Sequence, residues 1–223
     1  GELDNTLIFL VYGDNGTSAE GGRNGMFSEM TYFNGEPRGS DVDFMLEHYD
    51  AWGDPTTYPH MAAGWAVCFD SPFTWTKQVA GDYGGTRNGM VMHWPKGFEA
   101  KGEIRTQWHH VNDVAPTILA VAGGSWPKAP ASAAAPPRPG LSLLPEFARS
   151  GSVRHDSLWW CHSGHRALRM GEWKLVLRQR GQDWELYDME ADPYEMTNLD
   201  SVQDVLGDDY TMVNLAMYFG AQA

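Results

Sequence analysis

Cysteine is nearly absent: the 223 residues hold two, Cys68 and Cys161. Two distant cysteines give neither a disulfide framework nor a zinc-ligand spacing. They read as free core thiols or as one bridge, and free thiols are favoured because unpaired cysteine is commonly buried. Basic charge is scarce too. Sixteen Lys and Arg stand against 29 Asp and Glu, for a formal net charge of −13. No basic run is present to neutralise phosphates, which argues against nucleic acid as a partner. An acidic surface favours solubility and attracts cations. No stretch approaches the ~20 apolar residues of a membrane span, and no signal peptide opens the chain. A Walker A loop, a GxGxxG after a strand, a GxSxG elbow and an HExxH helix are all missing. Core material is plentiful: 42% of residues are hydrophobic, with 10 Trp, 9 Tyr and 9 Phe. That is enough for one large domain or a domain with an appendage.

Asn5–Tyr12, "NTLIFLVY", is continuously apolar rather than alternating, which predicts a buried strand of a parallel or mixed sheet. A glycine-rich loop follows. "SDVDFMLEHYDAWG" predicts a helix with Ser40 as cap and Asp41 and Asp43 in its first turn. Residues 53–64 read as loop. "WAVCFDSPFTWTKQVAGDYGG" reads as structured coil passing into a short helix, and Asn88–Pro95, "NGMVMHWP", as a second buried strand. "HHVNDVAPTILAVAGG" predicts a helix. Pro116 gives it a kink or a late first turn, and Gly123-Gly124 ends it.

Residues 127–150 begin with the low-complexity run "PKAPASAAAPPRPG" and read as a connecting segment. Beyond it, "HRALRMGEWKLVLRQ" predicts a β-hairpin turning at Gly171-Glu172. "WELYD" predicts a third antiparallel strand, and the last 20 or so residues read as helical. The organisation expected is therefore an α/β part over residues 1–126, the connection, and a small antiparallel β subdomain with a terminal helix over residues 151–223. The α/β part is short of strands, since an open sheet of this kind normally has more than two.

The chemistry concentrates in a few places. Asp14-Asn15-Gly16 stands where the first strand leaves the sheet. Hard divalent cations take carboxylate and amide oxygens, and open α/β sheets bind ligands at that end. The same tripeptide is also common turn chemistry. Asn15-Gly16-Thr17 is formally a glycosylation sequon. Lys77, ahead of Gly84-Gly85 and Arg87, is either a point charge for sulfate or phosphate or a solvated surface lysine. Arg87 reads as a loop brace acting through backbone carbonyls. His109 and His110 diverge and do not form a ligand pair, whereas His110 and Asp113 share a face and suit a structural hydrogen bond. Nothing links His162 and His165 to a site.

Taken in order, "NTLIFLVYGDNGTSAEGG", "TYPHMAAGWAVCFDSPFTWTKQVAGDYGGTRNGMVMHWPKGF", "QWHHVNDVAPTILAVAG", "GLSLLP" and "RALRMGEWKLVLRQRGQDWELYDMEADPYEMTNL" resemble the sulfatase family, in particular bacterial arylsulfatases. The resemblance runs from about residue 4 to residue 200. It implies an alkaline-phosphatase-like α/β core with a C-terminal antiparallel subdomain. It also implies that Asp14 and Asn15 are one pair of ligands to an active-site divalent cation, usually Ca²⁺, and that Lys77 holds a sulfate oxygen. The reaction implied is hydrolysis of a sulfate ester, on a small molecule or a glycan, by hydrated formylglycine.

One departure matters. Formylglycine arises from Cys or Ser within C/S-x-P-x-R, and the 223 residues contain no such motif. The family's other acidic ligand pair, and its N-terminal catalytic lysine and histidine, also have no counterpart. The chain therefore reads as the C-terminal portion of a sulfatase, with no nucleophile of its own, holding Ca²⁺ poorly and inactive alone. Two alternatives stay open: a phosphate or phosphonate ester hydrolase portion of the same superfamily, and a non-catalytic module that self-associates through exposed sheet edges. The resemblance assigns no compartment beyond the periplasmic or secreted setting of many relatives.

Overall fold

The structure is a computed structural model that describes residues 1–126, 140–149, 151, 155–179 and 183–199. It divides into two compact units, Gly1–Leu10 with Met90–Leu158, and Val11–Gly89 with Trp159–Ala223.

The elements in chain order are β1 (Ile8–Val11), α1 (Glu29–Phe33), α2 (Val42–Glu47), α3 (Ala63–Asp70), α4 (Tyr83–Thr86), β2 (Met90–His93), α5 (Val114–Val121), β3 (Ser157–His162), β4 (His165–Met170), β5 (Trp173–Leu177) and β6 (Glu185–Asp188). This is a mixed α/β chain, as the residue patterns predict. Both expected core strands form, but they are short and, among the described residues, pair only with each other. Neither is buried: Leu10 is 53% and Val91 61% exposed. The apolar run specified a strand correctly, but burial requires further strands and a covering layer, and the described residues supply neither to this two-stranded sheet.

Several local expectations shift. Asp41, not Ser40, caps α2, accepting the amides of Asp43 and Phe44. The stretch beginning at Trp65 opens in helix α3 rather than coil, and α1 interrupts the glycine-rich loop. Both cysteines are free, but Cys68 is exposed rather than in the core. The expected terminal helix and most of the connecting segment lie outside the described residues.

In the first unit, Pro116 falls in the first turn of α5, where its missing N–H costs no hydrogen bond. A 3-10 turn, Val111–Asp113, precedes that helix. The expected His110–Asp113 pairing exists in altered form: the Asp113 carboxylate accepts the backbone N–H of His110 at 2.8 Å, not its ring. The His110 ring instead accepts the Asn112 amide at 3.2 Å. Buried Asp113 also accepts the Leu141 amide at 2.7 Å and meets the His155 ring at 2.8 Å, tying three separate stretches together.

Burial holds the His110 imidazole below its ordinary pKa, against the opposing pull of Asp113. Its neutral ring is the acceptor that completes the cap. The stabilisation is therefore fully present above the unfolded value of about 6.5 and is lost as pH falls through the lower folded value. We expect the contribution of His110 to fall by about 1 kcal/mol between pH 7.5 and pH 5, the worth of a helix cap, beside that of His109, which burial also holds low. Denaturant unfolding at the two pH values measures it, and a His110→Ala variant should lose this part of the pH response.

In the second unit, β3-β4-β5-β6 form one sheet in that order. The hairpin turns at Gly171-Glu172 as expected, with Met170 opposite Trp173, and β6 pairs antiparallel to β5 with Leu186 opposite Leu175. Strand alternation sends Leu168, Leu175 and Leu186 to one face, and Ala167, Val176 and Tyr187 to the other. The second face receives Tyr83 from α4 and, edge-on to it, Phe73. That contact anchors the loop that carries the site.

Candidate functional site

Asp14 and Asn15 owe their placement to glycines. Past β1, Tyr12 donates its amide to Gly89 O at 2.9 Å. Gly13 then turns the chain at φ +94°, a left-handed conformation that favours glycine. Two residues on, Gly16 crosses the Gly84-Gly85 backbone, donating to Gly85 O at 2.9 Å. A Cβ on Gly16 would stand 1.7 Å from Gly84 O, so only glycine permits the crossing. Asn88 pins the loop from the far side: its side-chain amide donates to Asn15 O at 2.9 Å and accepts from Asn15 N at 3.2 Å. Asp70, at the end of α3, takes the Thr17 amide on both carboxylate oxygens, at 2.9 and 3.1 Å.

The other wall of the crossing is held by the sheet. Asp82, fully buried, meets the Arg178 guanidinium at 2.7 Å. The Tyr83 amide donates to Glu195 at 2.8 Å. Glu195 is paired in the interior with Lys174, whose ammonium also lies 3.6 Å from the Tyr83 ring centroid. Arg87 does brace this loop, by stacking on Phe73, 4.6 Å from the ring centre, and among the described residues no carbonyl accepts from its guanidinium.

Tyr12 to Ser18, Lys77 and Asn88 line one cavity of about 490 Å³. Asp14, Asn15 and Lys77, distant in sequence, thus share one space. Lys77 is held there from two directions. Its amide donates to Thr17 O at 3.1 Å. Its ammonium meets Glu20 at 2.9 Å, and Glu20 also accepts from Ser18 Oγ at 2.7 Å and Gln78 Nε2 at 2.5 Å. The Lys77 hydrogen bond is the first cause that lowers the Glu20 pKa, and the same bond raises that of Lys77. Glu20, Asp70 and Asn88 were not singled out by sequence reasoning. Only Asn88, next to the second strand, stood where a site residue is expected.

The donor set suits a hard cation in part. The Asp14 carboxylate and the Asn15 amide line the cavity, and neither side chain is hydrogen-bonded to a described residue. Such cations take six to eight oxygens, and no cluster of three or more His, Cys, Asp or Glu able to hold a metal occurs among the described residues. These residues can supply two oxygen-bearing ligands, not a closed shell.

The Asp14-Asn15 loop follows a sheet strand and lines one cavity with Lys77 in a mixed α/β protein. The chain belongs to the sulfatase family, whose model, "Sulfatase", matches residues 1–125. It is 28% identical over 216 residues to an uncharacterized sulfatase of Schizosaccharomyces pombe, covering 93% of this chain and 37% of that protein. Solved sulfatases share the alkaline-phosphatase-like fold. One is PsFucS1 of Pseudoalteromonas sp., at TM-score 0.56 and 18% identity, with 98% of this chain and 36% of that chain covered. Another comes from the locus by which Bacteroides thetaiotaomicron metabolises multiple glycosaminoglycans, at TM-score 0.58 and 16% identity, with 97% and 39% covered. The chain is also similar to Ps i-CgsB in complex with k-i-k-neocarrahexaose, at TM-score 0.52 and 24% identity, with 67% and 32% covered. The chain thus spans a little over a third of the length of the curated relative it matches. Among the described residues no helix is long and apolar enough to cross a membrane.

Proposed function

We propose that this chain carries the cation- and sulfate-binding side of a sulfuric ester hydrolase. The observation that carries the reading is that Asp14, Asn15 and Lys77 line one cavity. Lys77 binds a sulfate oxygen of the ester and stabilises its negative charge. Asp14 and Asn15 supply two oxygen ligands to a divalent cation, Ca²⁺ by family. A cation held there by Asp14 and Asn15 would supply charge neutralisation and Lewis-acid polarisation of the ester. Asn88 and the Gly16–Gly85 crossing fix the ligand loop, so the two oxygens do not have to be ordered when the ester arrives. The substrate class is a sulfated small molecule or glycan, a reading supported by the k-i-k-neocarrahexaose held by Ps i-CgsB.

The chain alone supplies no nucleophile, because C/S-x-P-x-R is missing from its residues. It binds the ester without turning it over, and holds Ca²⁺ only weakly. The test is an NMR titration with 4-nitrophenyl sulfate in calcium-containing buffer. Lys77→Ala should weaken binding at least about tenfold, the worth of one charge-assisted hydrogen bond. An unchanged affinity would sink the reading. So would hydrolysis by the 223-residue chain that Asp14→Ala abolishes, because it would place a nucleophile where none is identified. The exposed apolar side chains of β1 and β2 support self-association as well. Sedimentation velocity tests this, and a monomer at all concentrations would exclude it.

A further inference from the structure

Glu20 stands in an unexpected place for an anion site. A carboxylate 2.9 Å from the one lysine that lines the cavity among the described residues cancels much of the charge that would attract an ester. It is not a casual surface pair. Both Glu20 oxygens are engaged, one by Ser18 Oγ and the Lys77 ammonium, the other by Gln78 Nε2. Gln78 reaches it from a left-handed backbone conformation, φ +81°, which costs a non-glycine residue energy to hold. Lys77 also feels Asp14 and Glu29, which act on its ammonium in the same sense as Glu20.

A fixed negative charge acts on a bound anion in proportion to that anion's charge. Sulfate and phosphate esters have nearly the same tetrahedral shape, and hydrogen bonding alone separates them poorly. They differ in charge. An alkyl or aryl sulfate is a monoanion throughout the neutral range, whereas an aryl phosphate loses its second proton near pH ~6 and becomes a dianion. Repulsion from one added carboxylate is therefore twice as large for the phosphate.

We propose that Glu20 is the specificity-determining residue of this cavity: its charge, held against Lys77, admits singly charged tetrahedral esters and disfavours doubly charged ones. The inference rests on the reading of Lys77 as the anion-binding group. Glu20 does this without touching the ester, by setting the net charge that the ester meets.

The experiment titrates the 223-residue chain with 4-nitrophenyl sulfate and 4-nitrophenyl phosphate at about pH 8, where the second probe is a dianion. It compares the unaltered chain with Glu20→Gln and Glu20→Asp. Glu20→Gln should shift the sulfate-to-phosphate affinity ratio toward phosphate by about fivefold, from a Coulomb interaction of one charge across a partly solvated site. Glu20→Asp, which keeps the charge, should retain the original ratio. At about pH 5 the phosphate probe is a monoanion, while Glu20, held below its ordinary pKa chiefly by Lys77, stays ionised. There the Glu20→Gln effect on the ratio should vanish.

An equal change for both probes at pH 8, or a ratio that moves as far with Glu20→Asp as with Glu20→Gln, would overturn the proposal in favour of a purely geometric role for Glu20. If both probes bind but Lys77→Ala leaves them unaffected, or if neither binds, the reading of Lys77 itself fails and the proposal falls with it.

Discussion

Lys174→Met should lower the stability of the second unit by about 3–5 kcal/mol, the cost of removing one partner of a buried ion pair and leaving the other charged. Lys174 and Glu195 are both inaccessible, and each is the other's charge partner. Burial pushes the lysine pKa down and the glutamate pKa up, each resisted first by the attraction of its partner. The pair is held by more than itself: Glu195 accepts the Tyr83 amide, and the Lys174 ammonium lies against the faces of Tyr83 and Trp160. The double variant Lys174→Met, Glu195→Gln removes both charges of this pair and should recover a substantial part of the loss. Denaturant unfolding of the three chains measures both effects. A loss below about 1 kcal/mol for the single variant would mean that water reaches the pair, as at surface salt bridges.

Gly16→Ala is expected to abolish ester binding at the cavity. The new methyl would fall 1.7 Å from Gly84 O and 2.9 Å from Gly85 Cα, both backbone atoms that no rotamer change can move. Gly84 cannot retreat, because it already lies against the carbonyls of Thr74 and Trp75. The Asp14-Asn15 loop must therefore lift away from the crossing and give up the Gly16–Gly85 hydrogen bond. Overpacking of this kind costs about 1–3 kcal/mol, so the unit remains folded while the cavity is lost. Circular dichroism should show retained structure, and titration with 4-nitrophenyl sulfate should show no saturable binding. Binding at the original affinity would show that Asp14 and Asn15 do not act from this loop conformation.

The two variants probe opposite ends of one mechanical connection. The sheet β3–β6 holds Tyr83 through Val176, Tyr187 and the Lys174–Glu195 pair. Tyr83 fixes Gly84-Gly85, and these fix Gly16 beside Asp14 and Asn15. Lys174→Met should consequently loosen the cavity from a distance, whereas Gly16→Ala should leave the sheet intact.

The hairpin was legible because its signals are local. A two-residue turn at Gly171-Glu172 between β-prone runs sets the register by itself, and Met170 opposite Trp173 follows. The late first turn of α5 was equally local, since proline fixes its own backbone. Motifs single out Asp14, Asn15 and Lys77, but that they line one cavity was not legible, since as single residues they were indistinguishable from a turn and a surface lysine. Local chemistry mis-assigned the cap of α2 by one residue, because Ser40 and Asp41 are both good caps and the backbone selects between them.

By itself, then, the sequence determined the strands, the hairpin, the family, and the absence of a C/S-x-P-x-R nucleophile motif, each carried by residues close together in the chain. The tertiary structure alone decided what touches what. It placed Asp14 and Lys77 in one cavity, set Glu20 against Lys77, brought Asn88 onto the Asn15 backbone, and buried Lys174 with Glu195. It also left the apolar strands β1 and β2 exposed. An apolar run states that a strand is suited to burial, but whether anything covers it depends on partners far away in the sequence, and such pairings are settled only when the chain closes its long loops.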